Sequence, residues 1–199
     1  MNEYIVGEYN LYNIIFIKNR SNYKIFYRGN KVDSMKSKYS SQKYDNLVLS
    51  TPHMNMPFGR EIYYHKDIMN IEFTNYKKNN TMYNMFTTIQ HIDNFFRRLA
   101  YDKYLIKKMR YSNTINLSGK TYDSCIKYRP HKFAPLLRTH IKKNTIFIDD
   151  VNKQLVEYDN LKSKCGKFSL HIGTLWVSKY KYGIIVYITD GTINTIVEK

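Results

Sequence analysis

Residues 168–189 read FSLHIGTLWVSKYKYGIIVYIT and contain two segments typical of β-strands. In the first part of 168–177, apolar residues alternate with small or polar ones, which is the two-residue period of a half-buried strand. The second segment, 184–189, is rich in β-branched and aromatic residues. The connection 178–183, SKYKYG, is short, basic and aromatic. The pattern therefore predicts an antiparallel hairpin with a charged tip.

One helix is predicted upstream of this hairpin. Its apolar residues recur every three or four positions, which places them on one face of a helix that packs on the core. Asn80 or Thr81 is the expected N-cap, and Arg97 and Arg98 suit the negative end of the helix dipole. Lys103 is also expected at the C-terminal end of the helix, with a continuation to Met109 as the alternative. The apolar face consists of Met82, Met85, Phe86, Ile89, Ile92, Phe96 and Leu99.

Many short strands and one substantial helix predict a mainly β protein. A small barrel with a helix at one end fits this pattern, and the five-stranded oligonucleotide-binding (OB) barrel is one such fold. We divide the chain into an N-terminal strand segment and linker at 1–45, an OB-fold-like domain at 46–190 and a short tail at 191–199. The other predicted strands lie at 11–18, 23–27, 47–50, 61–64, 68–73, 122–128, 136–141 and 145–148.

Positive charge is concentrated in the middle of the chain. Thirteen Lys or Arg and only two acids, Asp102 and Asp123, lie between Arg97 and Asn144, whereas the net charge of all 199 residues is +16. Aromatic residues are interspersed with these cations. Cations attract a polyanion and exposed rings stack on unpaired bases, so the segment predicts binding to single-stranded nucleic acid. A solvated charged face over core tyrosines, with a codon bias towards Lys and Tyr, is the alternative.

The candidate binding residues come from two segments. Lys and Arg would neutralise phosphates, and Tyr or Trp would stack on bases. The first segment supplies Lys120, Tyr122, Lys127, Tyr128, Arg129, Lys132, Arg138, His140, Lys142 and Lys143. The second, at the hairpin, supplies Trp176, Lys179, Tyr180, Lys181 and Tyr182.

No catalytic, metal or cofactor site is predicted. The acids Glu61, Asp67 and Glu72 leave a metal-dependent nuclease as a remote alternative, because their spacing matches no two-metal pattern. Ser118–Thr121 (SGKT) lacks the first glycine of a phosphate-binding loop. A structural, nucleic-acid-associated protein without preference for single strands is a further alternative.

Cys125 and Cys165 have neither zinc nor disulfide spacing, and no N-terminal signal segment is visible. These features predict an intracellular, reducing compartment and no membrane partner.

Five segments resemble single-stranded DNA-binding proteins of large nucleocytoplasmic DNA viruses. They read MPFGRE at 56–61, IMNIEF at 68–73, TYDSCIK at 121–127, PLLRTHI at 135–141 and LWV…GII across 175–185. The resemblance covers about 47–189. It implies an OB fold that coats single strands without sequence preference during replication, recombination or repair in a viral factory of the host cytoplasm, with no catalysis.

The resemblance also implies roles for individual residues. It places Lys127, Arg129, Arg138, His140, Lys142 and Trp176 in or near the binding groove. Self-association along the strand would accompany coating. The C-terminal residues are not acidic, so recruitment of partners through an acidic tail is not expected. The sequence leaves open whether the strand is DNA or RNA.

Overall fold

The predicted hairpin forms the longest pairing in the sheet. In the computed structural model, β12 (Lys164–Val177) and β13 (Lys181–Asn194) pair antiparallel from Cys165 opposite Asn194 to Val177 opposite Tyr182. Both strands are longer than the sequence pattern predicted. The structure describes residues 5–6, 9–27, 45–108, 115–129 and 133–194.

Three further strands close this hairpin into a barrel. They are β6 (Met54–Met56), β8 (Lys66–Glu72) and β11 (Leu136–Asp149). β6 pairs with both β12 and β8, β8 pairs with β11, and β11 pairs in parallel with β13. The ring β6–β8–β11–β13–β12 is therefore closed and leaves no open edge. A closed five-stranded barrel in which only the third and fifth strands are parallel is an OB fold, so the predicted fold class is confirmed.

Shorter strands extend the barrel. The N-terminal hairpin of β3 (Ile14–Asn19) and β4 (Asn22–Tyr27) attaches to β12 through Thr174 and Leu175. It therefore belongs to the same sheet as the barrel. The predicted boundary at 45 stays a prediction, and residues 28–44 before it lie outside the described residues. The remaining strands are β1 (Ile5–Val6), β2 (Tyr9–Asn10), β5 (Val48–Ser50), β7 (Arg60–Tyr63), β9 (Thr121–Asp123) and β10 (Ile126–Lys127).

Helix α1 (Asn80–Arg98) covers one end of the barrel. Phe86 packs against Phe73 at the end of β8, with ring centroids 5.1 Å apart, and Tyr182 at the start of β13 donates a hydrogen bond to the carbonyl of Arg97. The predicted apolar face is buried. Since isolated helices are marginal in water, this packing is what stabilises α1.

The ends of α1 differ from the prediction. The N-cap is Asn79, one residue before the first of the two predicted positions, and its side chain accepts a hydrogen bond from the amide of Met82 at 3.0 Å. At the other end the helix stops after Arg98, and a separate helix α2 (Lys103–Lys108) follows. Asp102 lies just before α2 and accepts a hydrogen bond from the amide of Leu105, as an N-cap residue does.

Two predicted strand boundaries were also wrong. Segments 136–141 and 145–148 form one strand, β11, whose register with β13 jumps between Ile141 and Ile146. The side chain of Thr145 fixes this bulge by accepting a hydrogen bond from the amide of Lys142 and donating one to the carbonyl of Ile188. Conversely, the predicted strand at 122–128 is interrupted between β9 and β10. The predicted tail begins inside β13, which continues to Asn194, and 195–199 lie outside the described residues.

No helix in the described ranges is long and apolar enough to cross a membrane.

Candidate nucleic-acid interface

The outer face of β11 carries a row of basic side chains. Leu137, Thr139 and Ile141 are buried in the barrel, so the residues between them point outward, as the alternation of a strand requires. Arg138 and His140 are these outward residues, and Lys142 and Lys143 follow in the bulge. The sequence-predicted cations of β11 therefore lie on the solvent side of a closed barrel.

A cleft of about 340 Å³ lies over Arg138 and His140. Four predicted binding residues line it together: Lys127, Arg138, His140 and Trp176. They come from β10 and β11, which follow each other closely in sequence, and from the end of β12, which does not. The fold thus joins the basic middle of the chain to the C-terminal hairpin on one surface.

The turn between β7 and β8 forms another wall of the cleft and was missed by the sequence analysis. Tyr63, Tyr64 and Lys66 line the cleft from this turn, and the two tyrosine rings meet edge to face at 4.5 Å between centroids. The rings remain 57% and 79% exposed. They present large apolar surfaces next to cations, which is the arrangement that stacks on unpaired bases.

This turn has an unusual backbone. Tyr64 and His65 are its two central residues and adopt φ angles of 48° and 58°, the left-handed conformation of a type I′ hairpin turn. Asn-Gly or Asp-Gly usually occupies such turns, because a Cβ atom makes this conformation cost roughly 1–2 kcal/mol per residue. The Tyr-His pair therefore gave no turn signal in the sequence. Bulky residues held in this conformation are typical of functional sites.

Trp176 lies against a glycine that keeps the indole close to the barrel. A Cβ atom at Gly183 would lie 3.0 Å from the indole Nε1 of Trp176 and 2.6 Å from the carbonyl oxygen of Asp123. A larger residue at Gly183 would therefore displace Trp176 or β9. The glycine positions the indole in the cleft wall.

Charge in the cleft is mostly positive. Lys66, Lys127 and Arg138 face a single acid, Asp123, which pairs with Lys127 at 2.6 Å. Among the described residues, neither Lys66 nor Arg138 forms an ion pair. These two cations are therefore the ones that can neutralise a ligand's phosphates without breaking an existing salt bridge.

His140 titrates abnormally in this setting. Burial, together with the neighbouring charges of Lys66 and Arg138, lowers the pKa of His140 from 6.5 to about 4. At neutral pH its imidazole is therefore uncharged. His140 contributes a polar ring to the cleft, whereas Lys66 and Arg138 contribute the charge.

The buried carboxylate of Asp93 holds the wall formed by β9 and β10. It lies on α1 and accepts hydrogen bonds from the Tyr122 hydroxyl at 2.8 Å, the Ser124 hydroxyl at 2.7 Å and the backbone amide of Cys125 at 3.0 Å. Burial raises the pKa of Tyr122 and of the Cys125 thiol well above their usual values, so both stay protonated and donate. Asp93 thereby ties the helix to the interrupted strand next to Lys127.

Two residues that were predicted to stack on bases make contacts within the protein instead. Tyr182 is only 1% exposed, and Tyr122 packs on it with ring centroids 5.1 Å apart while bonding Asp93. Tyr182 therefore offers no face to a base, and its assignment as a stacking ring was wrong. Tyr122 is partly exposed but bound on both sides, so its ring is a structural contact of β9.

Two predicted cations also have structural partners. Arg129 forms a salt bridge with Glu72 and lies 4.8 Å from the centroid of the Phe133 ring. Lys120 donates hydrogen bonds to the carbonyls of Ser178 and Lys179, at 2.7 and 2.8 Å, and so fixes the tip of the β12–β13 hairpin. Both lie outside the cleft lining. Their binding roles stay predictions.

Four other predicted residues are exposed but do not line the cleft. Tyr180 is 68% exposed at the hairpin tip with Lys179 above its ring, and Tyr128 is 63% exposed beside α1. Lys143 and Lys181 are exposed on β11 and β13. Lys132 lies outside the described residues.

The acids considered for a nuclease have other partners. Asp67 pairs with Arg60 at 2.8 Å, and Glu61 accepts a hydrogen bond from Asn70 at 2.6 Å. Glu72 is the partner of Arg129. Across the described ranges, no group of three His, Cys, Asp or Glu side chains is arranged to hold a metal ion.

Comparison with known proteins finds similarity at the level of fold. No family model and no curated protein sequence matches the chain. Among solved structures, gp2.5, a single-stranded DNA-binding protein of bacteriophage T7, aligns with TM-score 0.45 and 8% identity over 77% of this chain and 98% of that one. The single-stranded DNA-binding protein of bacteriophage Enc34 aligns with TM-score 0.46 and 9% identity over 90% and 88%. A C-terminally truncated form of it gives the same score and identity over 91% and 94%.

Replacing the buried carboxylate should destabilise the protein strongly. Asp93→Ala removes the acceptor of several hydrogen bonds and leaves buried donors unpaired, so we expect a loss of at least about 3 kcal/mol in the free energy of unfolding. Asp93→Asn keeps one acceptor oxygen and should lose less. Urea denaturation measures both, with Asp159→Ala, whose side chain is 83% exposed, as a control expected to stay within about 0.5 kcal/mol of the wild type. An Asp93→Ala protein as stable as the control would contradict the structural role.

The low pKa of His140 should make stability depend on pH. Because the folded pKa, about 4, lies below the unfolded value of 6.5, the unfolded chain binds the proton first as pH falls. His140 therefore lowers the stability progressively between pH 6.5 and about pH 4 and has no such effect above pH 6.5. His140→Gln should lose less stability than the wild type over this window in thermal melts. Parallel curves for the two proteins would show that His140 titrates normally.

Proposed function

We propose that the protein binds single-stranded DNA through this cleft, without sequence preference, and coats the strand during viral DNA replication, recombination or repair. One observation carries the proposal: Arg138 and Lys66, which lack ion pairs in the described part of the chain, lie in one cleft with the exposed rings of Tyr63 and Tyr64 and with Trp176. The cations of the cleft can neutralise phosphates, and its aromatic rings can stack on unpaired bases.

The rings favour single strands over duplex. In a duplex the base faces are stacked inside the helix, whereas a single strand can turn its bases onto aromatic side chains. Stacking and phosphate neutralisation work for every base, which supports binding without sequence preference. Three further parts of the proposal rest on the sequence resemblance. They are the setting in a viral factory of the host cytoplasm, the kinship with proteins of large nucleocytoplasmic DNA viruses, and self-association along the strand.

Affinity should depend on strandedness and salt. In a fluorescence titration, labelled oligo(dT) should bind more tightly than a duplex of equal length, and its affinity should fall with salt at a log–log slope of roughly −0.7 per phosphate contacted. Oligo(U) in the same titration tests whether a 2′-hydroxyl is tolerated. Equal affinity for oligo(dT) and duplex, or an affinity that ignores salt, would refute the proposal.

Single substitutions should separate the two kinds of contact. Tyr64→Ala should weaken oligo(dT) binding by roughly 1–3 kcal/mol, the value of one stacked base, with an unchanged salt slope. Arg138→Ala should weaken binding and also reduce the slope by about 0.7. Trp176→Ala should behave like Tyr64→Ala.

The control for these substitutions is Tyr83→Ala, which removes a ring that is 51% exposed on α1, away from the cleft. Its affinity should match that of the wild type. If Tyr83→Ala and Tyr64→Ala weaken binding equally, the cleft is not the binding surface.

A further inference from the structure

A second groove adjoins the cleft and involves the N-terminal hairpin. It has a volume of about 580 Å³ and lies between that hairpin, strands β12 and β13, and the bulge of β11. Asn22, Lys66 and Ile185 line both this groove and the cleft. The two hollows therefore form one continuous path along the outside of the barrel.

The second groove is lined by cations and neutral polar groups. Lys24, Lys66 and Lys142 face it, and no acidic side chain lines it within the described residues. Another hollow of similar size, about 620 Å³, beside the loop at 150–160 is lined by Asp149 and Glu157 and by one lysine. Positive charge without acids is therefore a property of this groove and not of every hollow on the protein.

The bulge of β11 brings Lys142 into position. Lys142 leaves the regular alternation of the strand, and its ammonium lies 4.5 Å from the centre of the Tyr187 ring on β13. Tyr187 forms part of the groove lining, and its hydroxyl lies 3.3 Å from the Thr174 hydroxyl on β12. The contact with the ring holds the ammonium at the groove wall.

A glycine makes room for the rings at this wall. A Cβ atom at Gly173 would lie 2.9 Å from atoms of both His171 and Tyr187. Nε2 of His171 is buried and has no hydrogen-bond partner among the described residues. A buried polar atom without a partner is uncommon.

We propose that the second groove binds the backbone phosphates of the same strand where it leaves the cleft, and that the N-terminal hairpin forms one wall of the nucleic-acid site. This inference rests on the proposed function. Lys24 and Lys142 contact phosphates on opposite sides of the groove, and Lys66 stands at its junction with the cleft. The hairpin, outside the five barrel strands, thereby lengthens the site.

Two lengths of oligonucleotide test this extension on the full chain. One OB fold occupies about 4–16 nucleotides, so oligo(dT) of about 5 nucleotides should fill the cleft and one of about 15 should also enter the second groove. The double variant Lys24→Gln/Lys142→Gln should bind the short strand as the wild type does. It should bind the long strand about tenfold more weakly, with a salt slope reduced by about 1.4 for two lost phosphate contacts.

The matched control is Lys18→Gln on the same hairpin. In the register of the hairpin, Lys18 lies opposite Tyr23. Opposite residues share a face of the sheet and adjacent residues do not, so Lys18 is on the face of Tyr23 and Lys24 is on the other face. Lys18→Gln should leave both affinities unchanged. Thermal melts confirm that all variants fold.

The outcomes separate the two proposals. Equal weakening for both lengths, or no weakening for either, overturns the second groove while the cleft remains a binding site. A wild-type protein that shows no preference for single strands overturns both.

Discussion

The pairing of β13 with two partners is the constraint on which the rest of the structure depends. β13 pairs antiparallel with β12 and parallel with β11, and these two ladders close the barrel. Closure fixes which side of each strand is inside. Ile184, Val186 and Ile188 are buried in the barrel, whereas Ile185 and Tyr187 face outward and line the two hollows. Because one strand builds both the core and the floor of the candidate interface, core packing positions this surface directly.

Local sequence patterns predicted the helix and the strands, but not which strands pair with one another in the sheet. The alternation in 168–177 and the apolar face of α1 are visible in the chain because they repeat over short distances. The parallel pairing of β11 with β13 joins residues more than forty positions apart and leaves no such repeat. The two tyrosines of the connection SKYKYG show the same limit. Tyr182 lies in β13, is 1% exposed and donates a hydrogen bond to the carbonyl of Arg97, whereas Tyr180 lies in the turn before the strand and is 68% exposed.

Charge density along the chain was a partial guide to the interface. Several cations of the basic middle have acidic partners: Arg98 pairs with Asp102, Lys127 with Asp123 and Arg129 with Glu72. Arg138 and Lys142 line the candidate cleft or the adjoining groove without an ion pair in the described part of the chain. Two further basic residues of these hollows, Lys24 and Lys66, come from segments whose composition is unremarkable. The folded sheet brings these four side chains to one surface, so the basic segment of the sequence contains only part of the candidate site.

The outward face of the barrel is electrostatically costly in the absence of a polyanion. Lys66 and Arg138 help to hold the pKa of His140 near 4, and Lys142 acts in the same direction as burial on His171. Like charges on one surface destabilise the compact state by mutual repulsion. Under the proposed function, an anionic strand in the cleft would relieve that repulsion and add attraction. The proposal therefore accounts for an excess of positive charge that does not stabilise the protein alone.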